Sequence, residues 1–180
     1  MITTWKTIIA GFGGQGVLTI GRMLAYAGMI EGKDVTFIPS YGAEMRGGTA
    51  NCSTIVSDQP ISNPIVSVPN LVAAMNLQSL HKFEKTLESG MFLFYNTSVI
   101  PETPKRTDIQ IIPVDANRIA SDIGAPRSAN IVMLGAIVRK TKLLKAESVE
   151  GALAKEFYGA KAELLPKNVE ALYAGEKQFI

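Results

Sequence analysis

The strongest constraint on this chain lies near its start. A short apolar run, Thr7-Ile8-Ile9-Ala10, is cut off by Gly11-Phe12-Gly13-Gly14-Gln15-Gly16. After it, Val17, Leu18, Ile20, Gly21, Leu24, Ala25, Ala27, Gly28 and Ile30 recur at helical spacing up to Glu31, and Gly32 stops the helix. An apolar run ended by glycine predicts a buried strand, and the periodic stretch predicts a helix with one face inside. Val35-Thr36-Phe37-Ile38, closed by Pro39, predicts a second strand. Strand, glycine turn, helix and strand make a βαβ unit, which calls for a parallel pair with a right-handed crossover.

The alternation continues. Thr49–Ser57 alternates polar and apolar residues and predicts a strand with one face more exposed. Asp58–Pro69 holds three prolines and predicts a loop. Leu71–Met75 suits a strand or a helix, Leu77–Leu87 an amphipathic helix, and Met91–Tyr95 and Ile109–Val114 two further strands. Asp115 is placed to cap a short helix to Ile123. Ser128–Lys140, Glu147–Tyr158 and Pro166–Gln178 predict three more helices, the last with proline at its start. The expected fold is α/β: a three-layer α/β/α sandwich with a mostly parallel sheet and a helical C-terminal third, as one domain over 1–180.

Composition narrows the function. The chain has 180 residues and a net charge of +2, too balanced for a nucleic-acid-binding arm. One cysteine, Cys52, excludes an intrachain disulfide, a self-contained iron–sulfur cluster and a cysteine-based zinc site. One histidine, His81, excludes a histidine-rich metal site. Met1–Thr7 has no signal-peptide pattern and no apolar run is long enough to span a bilayer, so a cytoplasmic location is expected, with no membrane partner. Charged residues are only 19% of the chain, lean for the surface of a lone monomer, which points to partner chains.

Two segments carry candidate chemistry. Gly11-x-Gly13-x-x-Gly16 has the spacing of a dinucleotide-binding turn between strand and helix, where free N–H groups and the helix dipole receive phosphate. The acid expected at the end of the second strand is missing: Ile38-Pro39-Ser40 stands there, and Asp34 opens the strand at the opposite edge. These glycines can alternatively serve only close strand–helix packing. Tyr41-Gly42-Ala43-Glu44-Met45-Arg46-Gly47-Gly48 follows the next strand and is expected at the same sheet edge. Arg46 beside Gly47 and Gly48 can form an anion-receiving turn, or Glu44 and Arg46 can be solvated charges. Cys52 is expected as a buried small residue, His81 as a solvated one, and Asn130 as a satisfied polar group or a ligand contact.

Together, Gly11-Phe-Gly-Gly-Gln-Gly-Val17 and Tyr41-Gly-Ala-Glu-Met-Arg-Gly-Gly-Thr-Ala-Asn-Cys52 resemble the gamma subunit of 2-oxoacid:ferredoxin oxidoreductases. The likeness extends through Ile55-Val-Ser-Asp-Gln-Pro-Ile61 to Asn130 in Ser-Ala-Asn-Ile-Val-Met-Leu-Gly135, and is nearest the 2-oxoglutarate and branched-chain types. It implies a complex that oxidatively decarboxylates a 2-oxoacid, 2-oxoglutarate in the first instance, with coenzyme A. The products are an acyl-CoA, carbon dioxide and reduced ferredoxin. Thiamine diphosphate, magnesium and iron–sulfur clusters would sit on alpha, beta and ferredoxin-like delta subunits. This chain lacks a Gly-Asp-Gly diphosphate motif and cluster ligands, so alone it is expected to be inactive, and to self-associate as a homodimer when its sisters are missing. The resemblance places coenzyme A contacts on Gly11, Gly13, Gly14, Gln15, Gly16, Ser40, Tyr41, Glu44, Arg46, Gly47, Gly48 and Asn130. A free-standing NAD- or flavin-dependent oxidoreductase and a coenzyme A ester-binding module are the competing readings.

Overall fold

The computed structural model describes residues 3–40 and 49–179. Six strands form one sheet in the order β2-β3-β1-β4-β5-β6: β1 (Thr4–Phe12), β2 (Asp34–Ser40), β3 (Thr49–Ser57), β4 (Leu71–Ala74), β5 (Phe92–Asn96) and β6 (Gln110–Val114). Among these only β3 runs against its neighbours, β1 and β2. The pairs β1–β4, β4–β5 and β5–β6 are parallel.

The sheet separates two cores. On one face, α1 (Val17–Ile30), α3 (Ala116–Asp122), α4 (Ala129–Thr141), α5 (Ala146–Glu156) and α6 (Leu165–Lys177) share a core with Ile9, Cys52, Val56, Leu71, Ala73 and Phe94. On the other, α2 (Leu77–Phe83) covers Ile8, Ala10, Val72, Ala74, Leu93 and Tyr95. The two groups alternate along β1, β4 and β5, as period-2 side-chain placement requires. Three layers and a mostly parallel sheet therefore stand as expected, with α2 the single α-helix of the second outer layer among the described residues.

Several local expectations are corrected. β1 and β2 point the same way but do not pair, because β3 returns between them and hydrogen-bonds to both. In β3 one face is more exposed, as expected, but only in part: Cys52, Thr54 and Val56 pack toward α1, while on the other face Asn51 and Ser53 are half-buried and Ile55 is 1% exposed. Pro39 lies inside β2 rather than closing it, which is tolerated because β2 is an edge strand. Gly11 and Phe12 belong to β1, not to the turn. Leu71–Ala74 is strand, fully buried between two layers, so its composition carries no alternation.

Asp115 stands at the N-cap of α3, but its side chain makes no capping bond. Its carboxylate accepts from the Ser98 hydroxyl, and Ser98 Oγ in turn accepts from Asn117 N at 3.0 Å and Arg118 N at 3.3 Å. The cap is thus supplied from the β5 side. The C-terminal helices spend their apolar faces on one another. α4 is buried from Ile131 to Val138, and it crosses α6 so closely that a Cβ on Gly135 would lie 2.0 Å from the Leu172 carbonyl.

Candidate functional site

β1 delivers its carboxyl end to the turn Gly13–Gly16, and α1 starts at Val17 on one face of the sheet. β4, the parallel neighbour, delivers its end to Met75-Asn76, and α2 starts at Leu77 on the opposite face. The chain therefore leaves two adjacent strands in opposite directions, the arrangement that opens a crevice at the carboxyl edge of an α/β sheet.

Gln15 crosses that crevice. Its Oε1 accepts from Phe12 N at 2.7 Å and its Nε2 donates to the Met75 carbonyl at 2.9 Å. Gly11 makes room for it: a Cβ there would lie 2.6 Å from Gln15 Oε1 and 2.8 Å from Met75 Cβ. Gly16 has φ +71°, and a Cβ on it would lie 2.3 Å from Asn130 Nδ2. Asn130 uses that nitrogen to donate to the Gly16 carbonyl at 3.3 Å. Two glycines of the fingerprint are therefore explained by side chains of the protein itself.

Gly13 and Gly14 are different. Both are exposed, and a Cβ on Gly14 would meet nothing within 4 Å. The first turn of α1 closes on the Gly16 carbonyl, which accepts from Thr19 N and Ile20 N. The N–H groups of Val17 and Leu18 have no protein acceptor among the described residues, and α1 has no side-chain cap and no acid in its first turn. Such an end carries partial positive charge and suits an anion.

The other residues implicated by sequence divide by position. Ser40 ends β2, is exposed, and pairs in register with Asn51, so β3 separates it from β1 by about 10 Å. Tyr41, Glu44, Arg46, Gly47 and Gly48 lie outside the described residues. Their flanks do not: Ser40 stands at the carboxyl edge, and Thr49 pairs in register with Phe12, the residue just before the turn. Asp34 opens β2 at the far edge, where its carboxylate accepts from Ile61 N at 3.4 Å.

Sequence reasoning missed the Met75 carbonyl, which anchors Gln15 from 60 residues away and leaves no local signal. It also passed over Phe12, an aromatic 36% exposed beside the turn. Cys52 is fully buried beneath α1, and burial pushes its thiol up to about 12, the reverse of what a thiolate ligand to iron needs. His81 is on the surface, paired with Glu102 at 2.9 Å. Among the described residues no group of three or more His, Cys, Asp or Glu is placed to hold a metal ion, and no helix is long and apolar enough to cross a membrane. A cavity of about 430 Å³ lined by Trp5, Lys33, Val56, Phe92 and Leu143 lies at the amino edge of the sheet, away from the glycine turn. Among the described residues the candidate site is the exposed Gly13–Gly14 turn at the carboxyl edge of the sheet.

Comparison with known proteins identifies the family of the chain. Residues 6–178 match the family described as pyruvate ferredoxin/flavodoxin oxidoreductase. The VorA subunit of a ketoisovalerate oxidoreductase from Methanothermobacter marburgensis is 36% identical over 93% of this chain. The chain spans about a third (35%) of that relative's length. The KorC subunit of a 2-oxoglutarate synthase from Methanocaldococcus jannaschii is 34% identical, over 81% of this chain and 79% of the relative. The crystal structure of a keto/oxoacid ferredoxin oxidoreductase gamma subunit from Geobacter sulfurreducens superposes with a TM-score of 0.84 at 26% identity, covering 98% of this chain and 96% of the other. The chain thus belongs to the pyruvate ferredoxin/flavodoxin oxidoreductase family, in which it matches gamma-type subunits.

Proposed function

We propose that this chain is the gamma-type subunit of a multi-subunit 2-oxoacid:ferredoxin oxidoreductase, and that its glycine turn receives the phosphates of coenzyme A. The observation that carries the proposal is a juxtaposition. The exposed Gly13–Gly14 turn and both described flanks of the Tyr41–Gly48 segment lie at one sheet edge, Thr49 paired with Phe12 beside the turn and Ser40 one strand further out. The turn supplies N–H groups, and Arg46 is the cation in the second segment. An anion held by both gains charge-assisted hydrogen bonds, each worth roughly 1.5–3 kcal/mol.

Relatives are named for 2-oxoglutarate and for ketoisovalerate, and we take 2-oxoglutarate as the first substrate to assay. Thiamine diphosphate on a sister subunit would supply the decarboxylation chemistry, and iron–sulfur clusters on sister subunits would carry the electrons to ferredoxin. The role of this chain is to bind and orient. Its backbone N–H groups fix a phosphate, Phe12 offers an apolar shoulder beside it, and a neighbouring alpha, beta or delta subunit would take the rest of the ligand.

The test is Arg46→Ala in the assembled complex. The Michaelis constant for coenzyme A should rise about 10–100-fold while that for the 2-oxoacid stays nearly constant. If instead subunit recovery or melting temperature falls and coenzyme A dependence is intact, Arg46 braces an interface and the proposed site is wrong.

A further inference from the structure

We infer that Gln15 is a positioning residue: a strut that holds the Gly13–Gly14 turn in its ligand-receiving shape without itself holding the ligand. The inference rests on the reading of this turn as the coenzyme A phosphate site, and it assigns the turn's placement across the crevice, at its Gly13–Gly14 end, to one side chain.

The turn between β1 and α1 is rich in glycine, and glycine gives the backbone the widest freedom of any residue. A turn of that composition does not hold one conformation unaided. Three contacts fix it here. Gln15 N donates to the Phe12 carbonyl at 3.1 Å, closing the turn on itself. Gln15 Oε1 accepts from Phe12 N at 2.7 Å, tying the carboxamide to the end of β1. Gln15 Nε2 donates to the Met75 carbonyl at 2.9 Å, tying it to the end of β4. The last bond is the one that is not local. It couples the turn to the strand on the other side of the crevice, and so sets where Gly13 and Gly14 stand relative to the whole carboxyl edge. The carboxamide oxygen and one amide hydrogen are both committed to backbone, and the absent Cβ of Gly11 creates the space they occupy. A side chain used in this way orients other groups.

The chemistry makes a specific test available. In Gln15→Glu the carboxylate can still accept from Phe12 N, but it faces the Met75 carbonyl with no hydrogen to give. Protonation restores an O–H donor in the place of the Nε2–H. An acceptor opposite and partial burial both favour the neutral acid, so the introduced carboxyl titrates above its ordinary value near 4.3. The strut is therefore present at the acid end and lost as pH rises through that raised value.

The experiment measures Michaelis constants for coenzyme A and for the 2-oxoacid in the assembled complex, from about pH 5.5 to pH 8, for wild type, Gln15→Glu and Gly14→Val. The expected result for Gln15→Glu is a coenzyme A constant raised about 3–10-fold at pH 8, narrowing toward wild type at the acid end. The constant for the 2-oxoacid should follow wild type throughout. A coenzyme A constant equal to wild type at every pH overturns the inference. So does a rise in both constants together with no pH dependence, because the bond would then hold the fold and not the site. If the variant does not assemble, Gln15→Met keeps the volume without either side-chain bond, and should raise the coenzyme A constant alike at all pH values. A Gln15→Met complex with an unchanged constant is equally contrary. Gly14→Val separates the two claims. If it leaves coenzyme A untouched, the turn is not the coenzyme A site; if it raises the constant and the Gln15 variants do not, the site stands and the strut fails.

Discussion

Gly14 and Gly16 both hold positive φ, at +93° and +71°, yet their surroundings differ. An added Cβ at Gly14 meets open space, so Gly14→Ala carries backbone strain alone, about 1–2 kcal/mol. At Gly16 the same strain is joined by a clash with Asn130 Nδ2, whose bond to the Gly16 carbonyl is then lost. Gly16→Ala should cost about 1 kcal/mol more than Gly14→Ala in urea unfolding, and that excess should shrink in an Asn130→Ala background, where only the residue-130 Cβ at 3.1 Å remains in the way. Equal costs in both backgrounds would show that Asn130 does not brace the turn. Cys52 makes a second case. Its thiol is buried, held up to about 12 mainly by burial, and 3.5 Å from the Val17 carbonyl. At pH 8 it should resist alkylation until the protein unfolds, and rapid labelling of the folded chain would contradict this.

Among the elements, α4 and α6 show how a few residues can fix a packing distance. The clash at Gly135 is mirrored across the crossing, where a Cβ on Gly175 would fall 2.0 Å from the Val132 carbonyl. The obstacle in both cases is backbone, which cannot turn aside, so Gly135→Ala or Gly175→Ala should force the helices apart and cost about 1–3 kcal/mol or more. Gly151 in α5 is the contrast. Its nearest neighbour is the Ile30 Cδ1 methyl at 3.3 Å, the far end of a flexible side chain. There Gly151→Ala should be neutral or stabilise through helix propensity, by up to about 1 kcal/mol in urea unfolding. The same scale shows what was legible in the sequence. Helices and strands were readable because burial imposes periods of 3.6 and 2 on apolar residues. The insertion of β3 between β1 and β2 was not, because strand order is decided by long-range pairing. Nor was the Ser98 cap on α3: Asp115 has the right residue type in the right place, but a hydroxyl from another segment reaches the same amides.

For the whole molecule, the Arg106–Asp108 pair ties the end of α2 to the approach to β6. Arg106 donates to the carbonyls of Glu84 at 3.0 Å and Leu87 at 2.8 Å while gripping Asp108. The Arg106 side chain, aided by Ser89, holds the Asp108 carboxyl well below the usual carboxylate range. A depressed carboxyl stabilises above its unfolded value, near 3.9, and that contribution is lost as pH falls through the folded value. Asp108→Asn should therefore flatten the fall in stability between about pH 4 and pH 2 in acid titrations, and an unchanged profile would assign the acid sensitivity elsewhere.

The candidate site was half legible at this scale. The motif spacing located the glycine turn and its sheet edge. It did not reveal that Gly11 and Gly16 serve Gln15 and Asn130 while only Gly13 and Gly14 face outward, since that division depends on Met75 and Asn130 arriving from distant segments. The central claim is that this outward turn takes the phosphates of coenzyme A in the complex. Amide hydrogen exchange on the assembled enzyme, with and without coenzyme A, tests it most directly. The account predicts slowed exchange from Gly13 to Leu18 when coenzyme A is added. Unchanged exchange there, with protection confined to the sister subunits, would contradict it.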